Sequence, residues 1–320
     1  MKKNQTQVTA FILAGFSSFE DLQTVLFAMF LLTYIITLMG NLLIMVIIGT
    51  DWSLHVPMYF FLFVLSFSET CYSLVIIPRM LVDLLVKSRT ISYAGCAAQM
   101  FFFLGLGGTN CLVLTVMGYD RYLAICHPLH YPILMNVRVI LWLVAASWTG
   151  GFLISLTETA LVFGVPFCGS NTINHFFCHM RTMVKLACTD DNNAEVIITA
   201  ISIVGLAGSF LFIMLTYVFI LSTILRIPST DSRQKAFSTC ASHLIVVIVH
   251  YGFASIIYLK PNAAGVLDND TLISLPYTII TPFLSPMIFT LRNKEIKVAL
   301  RKAISKKIVL PKIQNVKCTC

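Results

Sequence analysis

The chain has 320 residues, of which 58% are hydrophobic and only 11% are charged. Soluble domains carry about 25% charged residues, so this composition excludes a protein whose surface faces mostly water. The formal net charge of +8 comes largely from one set of connecting segments and the C-terminal tail, which indicates a surface facing anionic lipid and not a nucleic-acid patch.

Residues 1–24 form the first segment, which we predict to be extracellular. They lack the basic start, apolar run and small-residue cleavage site of a signal peptide, so we expect the first span to act as the signal. Asn4-Gln5-Thr6 matches the N-glycosylation pattern, which predicts a modified Asn4.

Seven apolar stretches follow, each close to the length of about 20 residues that crosses a bilayer as a helix. In hydrocarbon the backbone must satisfy its own hydrogen bonds, and these runs are too long and too uniformly apolar for barrel strands. The stretches are Val25–Gly49, Met58–Val82, Ala97–Met117, Val139–Thr157, Val196–Leu225, Ala236–Leu259 and Leu272–Leu291. The sequence therefore predicts an all-α membrane protein: a seven-transmembrane helix bundle over residues 25–291.

The remaining residues, 292–320, are predicted to form a short amphipathic helix and a basic cytoplasmic tail. Most of the 22 Lys and Arg residues lie on the cytoplasmic side if the N-terminus is outside. We therefore expect a multi-pass protein of the plasma membrane with an extracellular N-terminus and a cytoplasmic C-terminus.

Four cysteines fall on the predicted outer side: Cys96 at the end of the third span, and Cys168, Cys178 and Cys188 in the loop before the fifth. An oxidising compartment favours disulfides, and four cysteines allow three pairings. We adopt Cys96–Cys178, which would tie this loop to the third span, together with Cys168–Cys188, which would close a smaller loop within it.

Motifs of catalysis and of metal or phosphate binding are missing from the sequence. It contains no H-E-x-x-H, no G-x-S-x-G and no phosphate-binding glycine loop, and the seventh span has no Lys to hold retinal. We expect no enzyme activity, no cofactor and no metal. A transporter or channel is the alternative, but the odd number of spans, the lack of an internal repeat and a single expected buried acid, Glu69, argue against it.

Several long motifs occur in one order along the chain. They are LHVPMYFFL at 54–62, MGYDRYLAIC at 117–126, HPLHY at 127–131, KAFSTCASHL at 235–244 and PFLSPMIFTLRN at 282–293. Together they resemble the odorant receptors, a family of rhodopsin-like G-protein-coupled receptors. The resemblance implies a receptor for small volatile odorants that activates a heterotrimeric G protein of the stimulatory, olfactory class.

The resemblance also implies a switch at the inner end of the third span. There Asp120 would hold Arg121 at rest, and activation would free Arg121 to meet the G protein α subunit. The further members of this switch set are Tyr122, Tyr217, Lys235, Glu69, Ser285 and Pro286. The chain departs from the family in two places, because Ser285 and Phe289 stand where odorant receptors usually have Asn and Tyr. Asn41 and Ser285 are the expected neighbours of Glu69.

The ligand set is likewise implied by the resemblance. It consists of Phe103, Leu104, Gly107, Gly108, Ser202, Leu206, Ala254, Ser255, Tyr258 and Thr278. The glycines at 105, 107 and 108 either let a neighbouring helix approach closely or leave a hollow. Because the set contains no Asp or Glu, we expect a neutral, mostly apolar ligand with one hydrogen-bonding group and an affinity on the order of micromolar, about −8 kcal/mol.

Overall fold

The computed structural model describes residues 8–16, 21–86, 88–167, 170–187, 193–258 and 274–313. Within the helices, the side chains of a few residues, Lys235 and Tyr258 among them, lie outside this description. The predicted glycosylation site Asn4 and the second predicted disulfide, Cys168–Cys188, also fall on residues outside it.

Helices account for most of the chain. In order they are α1 (Gln23–Thr50), α2 (Pro57–Leu85), α3 (Tyr93–Cys126), α4 (Tyr131–Leu134), α5 (Val137–Phe163), α6 (Met180–Leu186), α7 (Asn193–Leu225), α8 (Thr230–Tyr258), α9 (Thr281–Arg292) and α10 (Lys294–Ile313). Among the described residues, six helices are long and apolar enough to cross a membrane: α1, α2, α3, α5, α7 and α8. The seventh span is formed by a π-helical turn, Pro276–Ile280, continuing into α9. The predicted seven-helix bundle is confirmed.

The helices extend several residues beyond the predicted apolar stretches because polar caps lie outside the hydrocarbon. Ser92 accepts a hydrogen bond from the backbone N–H of Gly95 at the start of α3, and Asn136 accepts one from Val139 at the start of α5. Such caps satisfy backbone N–H groups that the first helical turn leaves without partners. Hydropathy alone locates the apolar run and misses these turns.

A three-stranded sheet closes the end of the bundle that carries the N-terminal segment; we call this end outer, and the opposite end inner, after their predicted orientation. Its strands are β1 (Ala10–Leu13), β2 (Thr90–Ser92) and β3 (Thr172–Ile173), with β1 in the middle, antiparallel to β2 and parallel to β3. The ring of the fully buried Phe11 packs edge-on against Phe167 at 5.4 Å. The sequence analysis did not predict this sheet, because two- to four-residue strands show no periodicity of their own.

Apolar side chains cover the outward faces of the bundle as well as its interior. On α7, for example, Val204 and Val218 are 71% and 63% exposed. In a bilayer these side chains meet acyl chains instead of water, so the arrangement is stable only in lipid. Polar side chains are instead buried between the helices, so the candidate functional residues lie in the interior of the bundle.

The helix α10 follows the seventh span and is amphipathic. Ile296 and Ala299 are buried against the bundle, whereas Lys297, Arg301 and Lys302 are exposed. This distribution confirms the predicted short amphipathic helix after the seventh span.

Candidate functional site

The inner end of α3 carries the Asp120-Arg121 pair. Asp120 is 1% exposed, and its carboxylate accepts a hydrogen bond from the hydroxyl of Tyr131 at 2.8 Å. Burial, and after it the negative charge of Asp120, raises the pKa of Tyr131, so this hydroxyl keeps its proton and donates. Tyr131 is held in place by the short helix α4, which it begins.

The expected ion pair between Asp120 and Arg121 is not formed. Among the residues that the structure describes, the one ion pair within 4.0 Å joins Arg79 and Asp83 on α2. Tyr131 supplies the hydrogen-bonding partner of the Asp120 carboxylate in this conformation. The charge of Arg121 acts on Asp120 and on Tyr217 without a direct ion pair, and the role of Asp120 in holding Arg121 stays a prediction.

A hydrogen-bonded chain joins three helices near Arg121. The Nε2 atom of His243 on α8 lies 3.0 Å from the carbonyl oxygen of Leu114 on α3. A carbonyl only accepts, so Nε2 carries the proton, and Nδ1 accepts from the hydroxyl of Tyr217 on α7 at 2.8 Å. Tyr217 belongs to the predicted switch set, whereas His243 was not predicted, although an ionisable side chain inside a span is a functional candidate by default.

A second polar cluster joins the inner end of α2 to the start of α10. The hydroxyl of Tyr59 donates to a carboxylate oxygen of Glu295 at 2.6 Å and lies 3.0 Å from the side-chain amide of Asn293. The charge of Arg121 also acts on Tyr59. These residues were absent from the predicted switch set, and the position of Tyr59 inside a motif was the only signal for it.

The remaining switch residues occupy separate places. Tyr122 contacts Nε2 of His127 through its hydroxyl at 3.0 Å, on the inner surface. Glu69 is 2% exposed and lies near Ser285, as expected, although the Ser285 hydroxyl donates to the carbonyl of Thr281 at 3.1 Å. The amide of Asn41 donates to the carbonyl of Pro282 and not to Glu69.

Pro286 brings α9 against α1. Its ring atoms would lie 3.2–3.3 Å from a Cβ placed on Gly40, so the glycine allows the two helices to approach closely. Together with the contact between Glu69 and Ser285, this packing fixes α9 on two sides. The side chain of Lys235, also in the switch set, lies outside the description.

The outer half of the bundle holds the predicted ligand set. Phe103 is buried between the ring of Tyr72, 5.2 Å away, and the ring of Phe177, 4.7 Å away. Phe177 belongs to the loop that the disulfide ties to α3. Other members are buried or half-buried on their helices: Leu104, Leu206, Ala254, Ser255 and Thr278.

The sequence left open whether the glycines of α3 allow a neighbouring helix to approach closely or leave a hollow, and the glycines differ in this respect. A Cβ on Gly105 would meet the ring of Phe152 at 2.8 Å, and one on Gly108 would meet the backbone of Gly151 at 3.3 Å. Both therefore face α5 at a close helix contact. Gly108 was expected to line the ligand site, and this orientation corrects that expectation. A Cβ on Gly107 would instead lie at ordinary contact distance, 3.6 Å, from the hydroxyl of Tyr277.

Buried acids are more numerous than expected. Asp83, Asp120 and Glu158 are 1%, 1% and 4% exposed, so the expectation that Glu69 is the single buried acid is wrong. The hydroxyl of Ser202, a member of the ligand set, donates to Glu158 at 2.9 Å. The expectation of a neutral ligand assumed no acid beside this set, and Glu158 removes that reason.

The disulfide Cys96–Cys178 is present, which confirms the first predicted pairing. It joins the outer end of α3 to the loop that carries β3 and Phe177. Cys71, Cys111, Cys126 and Cys240 carry free thiols.

Comparison with known proteins bears on the whole chain. The olfactory receptor family model matches residues 30–307. Human olfactory receptor 10X1 is 60% identical over 98% of this chain and 95% of its own length, and human olfactory receptor 10R2 is 54% identical over 96% and 92%. The crystal structure of squid rhodopsin superposes with a TM-score of 0.71 at 18% identity, over 90% of this chain and 80% of that one, and shows the fold alone. This chain, with its seven spans and its buried polar contacts at the inner end of α3, belongs to the olfactory receptor family and is a receptor, not an enzyme.

Proposed function

We propose that this receptor binds small, mostly apolar odorants among the outer halves of its helices and activates a stimulatory heterotrimeric G protein at its inner end. The observation that carries the proposal is the inner-end geometry, in which Arg121 makes no ion pair within 4.0 Å with any carboxylate of the described residues. The guanidinium is thus available to a segment of another protein.

The ligand seat that we propose lies between α3, α7, α8 and the seventh span. Phe103 supplies an aromatic wall, and Gly107 faces the hydroxyl of Tyr277, which an added Cβ would meet at an ordinary contact distance of 3.6 Å. Pockets of this kind are lined by apolar groups with a few directed polar ones. Phe177 rests on Phe103 at 4.7 Å, so the disulfide-tethered loop forms the roof of the seat.

The helix α8 is the proposed connection between the two ends, because it contacts α3 at successive depths. Near the seat, His250 lies 3.2 Å from the thiol of Cys111, and the hydroxyl of Tyr251 donates to the carbonyl of Cys111 at 3.2 Å. Further in, His243 binds Leu114. A ligand that displaces the contacts of His250 and Tyr251 with Cys111 would shift α8. That shift would break the hydrogen bond between His243 and Leu114. Such discrete contacts give two packings that a ligand can bias.

The orientation that we propose places the N-terminus outside. Two observations support it: the disulfide lies at the end of the bundle that carries β1, and the basic face of α10 lies at the opposite end. Disulfides form in oxidising compartments, and basic helices lie against the anionic cytoplasmic leaflet.

The alternative, a transporter or channel, requires ionisable groups along a path through the membrane. Three of the buried acids are instead held by a local polar partner: Asp83 by Arg79, Asp120 by Tyr131 and Glu158 by Ser202. An ion current in cells that lack the G protein would support this alternative.

The test is cyclic-AMP accumulation in cells that express the receptor with a stimulatory α subunit and are given a panel of odorants. We expect at least one odorant to raise cyclic AMP, and Arg121→Ala to remove the response at equal surface expression. A response of undiminished size in Arg121→Ala would contradict the proposed role of Arg121. A response that is equally strong with an inhibitory α subunit would contradict the proposed G protein class.

A further inference from the structure

Glu158 is a buried acid that the mechanism above does not use. Its side chain is 4% exposed near the outer end of α5, and one carboxylate oxygen accepts the hydrogen bond of Ser202 on α7. Within the described ranges, no Lys, Arg or His lies within 4.0 Å of its carboxylate as an ion-pair partner.

The contacts of the neighbouring turn place Glu158 at the junction of three helices. Ser155, one turn before it on α5, donates to the carbonyl of Phe101 on α3 at 2.5 Å. Phe101 lies one turn before Leu104, and Ser202 lies one turn before Leu206, and both leucines belong to the ligand set. Residues three or four apart share a helix face, so Glu158 lies beside the proposed ligand seat.

A carboxylate among apolar helices is unfavourable unless it is paired and hydrogen-bonded. Ser202 donates one hydrogen bond, whereas an ionised carboxylate offers about four acceptor positions. A protonated amino group supplies the opposite charge and three N–H donors, a complement that the described residues around Glu158 do not provide.

We propose that Glu158, positioned by Ser202, recognises the protonated amino group of a small apolar amine. The inference rests on the proposed function, since it adds a charged subsite to the same ligand seat. The apolar part of the amine occupies the space beside Leu104 and Leu206, and the ammonium group donates to the Glu158 carboxylate.

The test uses linear alkylamines from butylamine to octylamine and the alcohols of matched length as probes. Binding is measured as the rise in thermal stability of the purified receptor, and signalling as cyclic-AMP accumulation.

Glu158→Gln keeps an acceptor for Ser202 but removes the charge, so its fold is retained. We expect at least one amine to stabilise the wild-type receptor, and its half-maximal concentration to rise about tenfold or more in Glu158→Gln, because a hydrogen bond between ionised groups is lost. The half-maximal concentration of the alcohol of matched length should be nearly the same for the wild-type receptor and for Glu158→Gln.

Glu195→Gln is the control, because it removes an acid near the start of α7 and should leave the amine response unchanged. An amine that binds wild type and Glu158→Gln equally well would overturn the inference, as would a series in which no amine binds. If amines bind in a Glu158-dependent way but no probe raises cyclic AMP, the proposed function fails and the subsite stands. If alcohols raise cyclic AMP and amines do not bind, the subsite fails and the proposed function stands.

Discussion

The inner and outer halves of this bundle are held together by different kinds of contact. The inner half relies on directed hydrogen bonds between helices, such as those of His243 to Leu114 and Tyr217. The outer half has hydrogen bonds between α3 and α5 and between α5 and α7, but Phe103 of the ligand set is held by aromatic packing against Phe177. A directed bond is made or broken, whereas apolar packing accepts ligands of different shapes. We infer that ligand choice and switching take place at separate ends of the same helices.

The largest effect is expected at the outer end, from loss of the disulfide. Cys178→Ser removes the disulfide between α3 and the loop that carries Phe177. In the chain-entropy model, closing a loop of 82 residues stabilises the fold by about 4–5 kcal/mol. We expect a large loss of thermal stability in detergent and of surface expression. Cys71→Ser, which changes a free thiol, is the control. Equal stability of the two variants would show that the outer half does not depend on this tie.

A smaller effect is expected where α3 and α5 meet. A Cβ on Gly151 would lie 2.6 Å from the backbone nitrogen of Thr109, so Gly151→Ala must separate the helices and should lower the free energy of unfolding by about 2–3 kcal/mol. Gly107→Ala is the matched change on the ligand side, and we expect it to leave stability nearly unchanged while altering the odorant response. If thermal melting shows equal losses for both, the distinction between packing glycines and the seat glycine is wrong.

At the inner half, His243→Phe removes two hydrogen bonds between helices, each worth about 1 kcal/mol. We expect ligand-independent cyclic AMP to rise by about an order of magnitude, because α8 loses its tie to α3 and α7. Tyr217→Phe removes one of these bonds and should have an intermediate effect. Unchanged basal activity in His243→Phe would show that these bonds do not hold the resting packing.

The smallest effect is expected from Tyr131→Phe, which removes the hydrogen bond to Asp120. One such bond is worth about 1 kcal/mol, so the half-maximal odorant concentration or the basal activity should change by about fivefold. Tyr119→Phe, which alters a nearby phenol on α3, is the control. The cyclic-AMP dose–response curve measures both, and identical curves would remove Tyr131 from the account.

The spans, the first disulfide and the motif at the inner end of α3 were predicted from the sequence because each depends on local composition or on a motif shared with a known family. It did not predict that Tyr131 would be the partner of Asp120, nor that Gly108 would face α5, because both depend on how neighbouring helices are rotated. Glu158 was overlooked for a related reason. It follows directly after the apolar stretch that ends at Thr157, so hydropathy assigned it to a loop, whereas α5 continues to Phe163 and buries it.

The proposed role of Arg121 is tested most directly by ligand-dependent nucleotide exchange on a purified stimulatory G protein, catalysed by the reconstituted receptor and by its Arg121→Ala variant. We expect both proteins to bind the odorant with similar affinity, and only the wild-type receptor to accelerate exchange. Acceleration of the same size by Arg121→Ala would show that activation of the G protein does not depend on Arg121.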